Sequence, residues 1–207
     1  MRRTILVSLL ASAALAQYTV ESAGAPPADV PPAFAGLLQK EGAKVLAAGA
    51  VVCEVWFRQA VPSGPKVAEE GVTNAAIPHG AFMGLLRFSG KGGSDRRGQN
   101  IKPGLYTLRF SYYPINGDHQ GVAPQRDFLV LTPLAEDKAD PAGVAKFDDL
   151  MNLSRKASGT PHPAVLSMTR SGHDKFPDVV KEGEQDWVLH AKAGDFPVAL
   201  MVVGKVD

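Results

Sequence analysis

Residues 105–113, LYTLRFSYY, decide the fold class, because Tyr106, Leu108, Phe110 and Tyr112 alternate with Thr107, Arg109 and Ser111. Successive side chains of a strand point to opposite faces, so this period of two puts the aromatic and aliphatic set on one face, toward a core. Pro103-Gly104 opens the strand. Residues 128–132, FLVLT, are its expected antiparallel partner, and Pro133 ends the pairing because it has no backbone donor. The loop between them is far longer than hairpin closure needs. It carries Asn116, Asp118, His119, Gln120, Arg126 and Asp127, and polar groups on a long loop between rigid strands are where binding concentrates.

Working outward, the same period recurs at 44–47, 51–58, 82–88, 164–169, 187–191 and 196–203, with Gly-containing turns between them. Within 51–58, Val51, Cys53, Val55 and Phe57 share one face, leaving Glu54, Trp56 and Arg58 on the other. One helix interrupts the strands. Asp140 is its expected N-cap, Pro141 its first residue, Val144, Phe147, Leu150 and Met151 its apolar stripe, and Gly159 its left-handed stop. About eight strands with short turns and one helix predict a mainly β, antiparallel two-sheet sandwich, immunoglobulin-like or jelly-roll-like.

The N-terminus reads as an export signal: Met1-Arg2-Arg3, an apolar run over 4–14, and Ala14-Leu15-Ala16 as the small-x-small cleavage pattern. That run is shorter than the roughly 20 apolar residues a membrane span needs, and no later run approaches that length. The expected organisation is a signal peptide over 1–16, an Ala/Pro/Gly-rich tether over 17–33, and a single domain over 34–207, secreted to the periplasm or the cell exterior. Without Arg2 and Arg3, 20 basic side chains face 21 acidic ones. That balance gives no electrostatic footprint for nucleic acid. Cys53 is the only cysteine, so no internal disulfide forms, and its place on an apolar strand face marks it as a buried small hydrophobe.

Several catalytic classes fall on spacing. Gly84 and Gly90-Lys91 are one residue too far apart for a phosphate loop, no G-x-S-x-G elbow occurs, H-E-x-x-H is absent, and Cys53 has no nearby histidine for a blue-copper site. The histidines remain. His79, His119, His162 and His173 fall in expected loops, with Asp118-His119 and His173-Asp174 pairing imidazole and carboxylate, so they are the candidate ligands for a divalent metal. His190 lies mid-strand beside Leu189 and reads as a surface or rim residue. Asn116, Asp118, His119, Arg126, Asp127 and an exposed Trp56 are the candidate ligand-binding residues. The plainer alternatives are an Asx-turn at 116–118, a structural Arg126–Asp127 bridge, and Trp56 packed beneath the helix.

The block GQNIKPGLYTLRF, followed by NGDHQGV and RDF, resembles exported bacterial β-sandwich domains of unassigned function in which a P-G-x-Y-T-L strand start recurs. The resemblance spans about a fifth of the chain and implies a fold, with no activity attached. The leading expectation is therefore a non-catalytic exported domain that binds a small ligand, a metal ion or an envelope protein through its loops. The alternatives are a metal-dependent hydrolase or oxidoreductase, using His119 and His162 as ligands with Asp118 orienting an imidazole or acting as base, and a purely structural envelope protein.

Overall fold

The computed structural model describes residues 17–68, 70–113 and 125–205. In chain order these form β1 (Tyr18–Gly24), α1 (Pro32–Ala35), β2 (Gly42–Ala47), β3 (Ala50–Phe57), β4 (Phe82–Phe88), β5 (Gly93–Ser94), β6 (Asn100–Ile101) and β7 (Gly104–Tyr112). They continue as β8 (Asp127–Pro133), α2 (Phe147–Ser158), β9 (Val165–Arg170), β10 (Asp178–Glu182), β11 (Asp186–Ala193) and β12 (Phe196–Val203). The mainly β, antiparallel expectation holds. The two strands of the central hairpin pair as expected, with Leu108 opposite Leu131 and Phe110 opposite Leu129.

The two-sheet sandwich is not confirmed. Ten strands form one antiparallel sheet in the order β1-β2-β3-β4-β7-β8-β9-β12-β11-β10, and it curls until it is nearly closed as a barrel. Register shifts in four of the pairings add to the curl, with the extra residue at Ala23 of β1, Val52 of β3, Met83 of β4 and Val202 of β12, since an extra residue on one strand raises the local twist. Val45, Cys53, Val55, Met83, Leu86, Leu108, Phe110, Leu131, Leu189 and Leu200 fill the interior.

The stretch expected to be a tether supplies β1, which pairs with β2 and turns Tyr18 and Val20 toward the core. Its sequence, YTVESAG, alternates too weakly to announce a strand, and the pairing comes from the β2 edge. Opposite it, β10 ends the sheet, and Tyr18 packs against Trp187 of β11 across the seam, with ring centroids 4.5 Å apart and planes tilted by 33°.

The outside of the sheet is covered too. α1 and its flanks place Val30, Phe34 and Leu38 over Trp56, Phe82 and Leu85, whereas α2 places Leu150 and Met151 over Phe128, Val130 and Val165. Trp56, expected to be exposed, is therefore wholly buried, and it lies beneath the α1 region rather than the α2 helix. The α2 helix starts later than Asp140 predicts. Asp140 instead closes a turn by accepting from the Ala142 amide at 2.9 Å, and the chain stays extended while Ala145 N–H donates to Gly80 O. Gly80 permits that approach: its φ is +78°, and a Cβ there would lie 2.1 Å from Ala145 O. The helix stop at Gly159, with φ of 66°, is as expected.

Cys53 is buried as its strand face predicts, and desolvation, with the charge of Glu54 adding to it, pushes its thiol up to about 12. A thiol-specific disulfide reagent at pH 8 is expected to leave the native protein unlabelled and to modify Cys53 fully in denaturant. Rapid labelling of native protein would contradict that burial.

Candidate functional site

The seam between β1 and β10 is where the barrel is incomplete, and beyond the start of β10 it opens into a cleft of about 530 Å³. On one side stand Val20 and Ser22 of β1, Ala43 of β2, and Val55 and Phe57 of β3. On the other stand Phe176, Pro177, Ala191 and Lys192. The walls are apolar because they continue the interior faces of the strands, and the rim carries Glu21, Gln39 and Glu41. Gln39 Nε2 donates to Lys192 O at 2.7 Å, and the Lys192 ammonium sits 5.2 Å from the Phe176 ring centroid. The positive charge at the rim is thus engaged by an aromatic face. Sequence reading missed this cleft, since its walls meet only where the two edges of the sheet approach.

Of the residues singled out in the sequence, Asn116, Asp118 and His119 lie outside the described residues, as do residues 1–16 of the expected signal peptide. Arg126 and Asp127 are both buried, and each ties down a neighbouring segment. The Asp127 carboxylate accepts from the amides of Thr73 at 2.9 Å and Asn74 at 2.6 Å and from Asn74 Nδ2 at 2.8 Å. It is satisfied by that segment rather than by an arginine bridge. Arg126 donates to the carbonyls of Tyr113 and Glu70 and lies over the rings of Tyr112 and Tyr113. These contacts fasten both ends of the long loop to residues 70–74.

The histidines divide as well. His162 is exposed, and its carbonyl accepts from Ser158 Oγ at 2.6 Å. His79 packs between Tyr112 and Phe147 with Nε2 2.9 Å from Ser111 Oγ. Among the described residues, neither belongs to a group of three metal-ligating side chains.

Burial lowers the pKa of His79 from its ordinary value of 6.5. Above 6.5 the ring is neutral in both folded and unfolded chains. Between that value and the lowered folded pKa the unfolded chain binds more protons, so stability falls as pH drops through this window. His79→Gln is expected to flatten the pH dependence of the denaturation midpoint between about pH 7 and pH 5, the range where an ordinary imidazole titrates. Identical slopes in the two proteins would rule His79 out as the cause.

His173 behaves differently. It stacks on His190 with ring centroids 3.8 Å apart and an interplanar angle of 22°, and Glu182 completes a group whose ligand atoms all lie within 4.8 Å of one another. His190 is 2% exposed, not a rim residue. Its Nδ1 is 2.9 Å from Ser171 Oγ, whereas Glu182 Oε1, 3.0 Å from Nε2, lies off the line a ring N–H requires and leaves Nε2 without a directed hydrogen bond. Burial first, and then the adjacent His173, lower the His190 pKa against the opposing charges of Glu182 and Asp178. The only sequence signal for this cluster was His173 itself, since a mid-strand histidine and a glutamate at a hairpin end carry no shared spacing. Comparison with protein-family models, with curated proteins and with solved structures finds no match to this chain.

Proposed function

We propose that the protein is an exported, non-catalytic binding domain that takes a small organic ligand, with an apolar body and a cationic end, in the cleft at the barrel seam. The observation that carries this reading is the cleft itself. It brings buried core residues, Val55 and Phe57, to an opening flanked by the carboxylate of Glu41 and by Glu21, which is paired with Lys44 at 3.1 Å. Concave sites with apolar walls and a few polar groups at the mouth of a barrel are the usual form of a small-ligand site. Export is supported by the charged start, short apolar run and Ala14-Leu15-Ala16 pattern.

Titrating isotope-labelled protein with an arylalkylamine, beside its carboxylate and uncharged analogues, tests the site. Amide shifts at Ser22, Glu41 and Phe176 are expected with the amine, weaker with the uncharged analogue and absent with the carboxylate. Shifts scattered over the surface, or equal for all three compounds, would remove the proposal. Fractionation of expressing cells tests the export half separately, with a mature chain beginning at Gln17 as the expected result and full-length cytoplasmic protein as the contrary one.

A further inference from the structure

On the outer face of the β10–β11 hairpin, we propose that His173, Glu182 and His190 form a binding site for a divalent transition-metal ion of the zinc class. This is separate from the seam cleft and does not rest on it. Two imidazole nitrogens and one carboxylate oxygen form a donor set that suits zinc and its neighbours, and three protein ligands leave a fourth position for water.

The geometry favours a ligand set over a chance cluster in two respects. His190 is 2% exposed, and its Nε2, facing Glu182, has no directed hydrogen bond, an arrangement that an incoming cation would satisfy. Its other nitrogen is already oriented by Ser171 Oγ at 2.9 Å, and Ser171 is itself fixed by accepting from the His173 amide at 3.1 Å. A hydroxyl both donates and accepts. It therefore accommodates the tautomer in which His190 Nδ1 carries the proton and Nε2 offers its lone pair, as metal-bound histidines require.

Binding involves one movement. Stacked rings aim their in-plane lone pairs side by side, so His173 must turn out of its stack to share an ion with His190. His173 and Glu182 are both exposed and have room to move, whereas His190 is held by its strand. The ligand atoms, now within 4.8 Å of one another, need to settle near about 3.4 Å, the separation set by two ~2.1 Å bonds at a tetrahedral angle, so His173 closes in while the His190 Nε2–Glu182 Oε1 pair, at 3.0 Å, opens slightly. Asp178, across the ladder from His190, is engaged by the Val179 amide and Lys175 and stands outside the set.

Calorimetric titration of the purified full chain with zinc chloride, in a non-chelating buffer at neutral pH, is expected to show one ion per chain. His173→Ala and Glu182→Gln, both at exposed positions and so not expected to unfold the sheet, should each weaken binding at least tenfold. Ser171→Ala should weaken it by about 10-fold, the usual effect of losing the group that orients a ligating histidine. Cobalt supplies a second reading, since its visible ligand-field bands should appear with the wild type and be lost in His173→Ala. Absence of one-to-one binding, or affinity unchanged in both His173→Ala and Glu182→Gln, would overturn the site and leave the His190–Glu182 contact as a structural pair.

Discussion

Asp137→Ala is expected to destabilise the protein by about 3–5 kcal/mol, the range seen when one partner of a buried ion pair is removed. Asp137 and Arg109 side chains are both 0% exposed. The carboxylate accepts from Arg109 Nε at 2.7 Å, from Arg109 Nη2 at 3.0 Å and from Thr107 Oγ1 at 2.6 Å. Arg109 in turn donates to Gly80 O at 2.8 Å and Ala139 O at 3.1 Å. The network fastens residues 137–145 to the outer face of β7, and losing the acid leaves a guanidinium buried without its counter-charge. Denaturant melts provide the measurement. A loss under about 1 kcal/mol, the value of an exposed pair, would mean the site admits water. Replacing both partners, Arg109→Met with Asp137→Leu, should recover much of the loss, because apolar packing substitutes for a buried pair more readily than half of it does.

Trp56→Ala carries the second large effect, also about 3–5 kcal/mol for deleting a fully buried indole. The ring fills the space between α1 and the sheet among Phe34, Leu38, Phe82 and Leu85, and Arg87 stands 5.5 Å above it. Its Nε1–H donates to Gly24 O at 2.8 Å, which ties down the end of β1. Trp56→Phe keeps most of the apolar contact and removes that bond, so a loss on the order of 1 kcal/mol is expected. Hydrogen exchange should then quicken in β1 before other strands. Uniform exchange across the sheet would show that Trp56 supports the core without holding the seam. Because β1 forms one wall of the cleft, fraying there should also weaken any ligand bound at the seam.

Much of the hairpin was legible in residues 105–113, since alternation specifies which side chains face inward whatever surrounds them. The other face was not. Thr107, Arg109 and Ser111 share the polar face of that strand, yet all three are buried beneath residues 134–158 and the His79 segment. A polar residue covered by a distant segment has the same local pattern as one in water. Trp56 was misread for the same reason, and β1 was missed because the edge it joins lies beyond Pro32 in the chain. His190 was set aside because the histidine and glutamate that meet it come from the far end of a hairpin and a separate loop.

The sequence by itself determined the β class, the antiparallel central hairpin, the buried thiol and the helix stop, all of which depend on the period and backbone preference of neighbouring residues. Only the tertiary structure decided that the strands close into one sheet rather than two. It also decided that Asp127 and Arg126 anchor their loop, that a cleft opens at the seam, and that His173 meets His190. Those outcomes depend on which distant edges and faces meet, and that is set by the curl of the whole sheet, to which each bulge adds a little and no single segment determines.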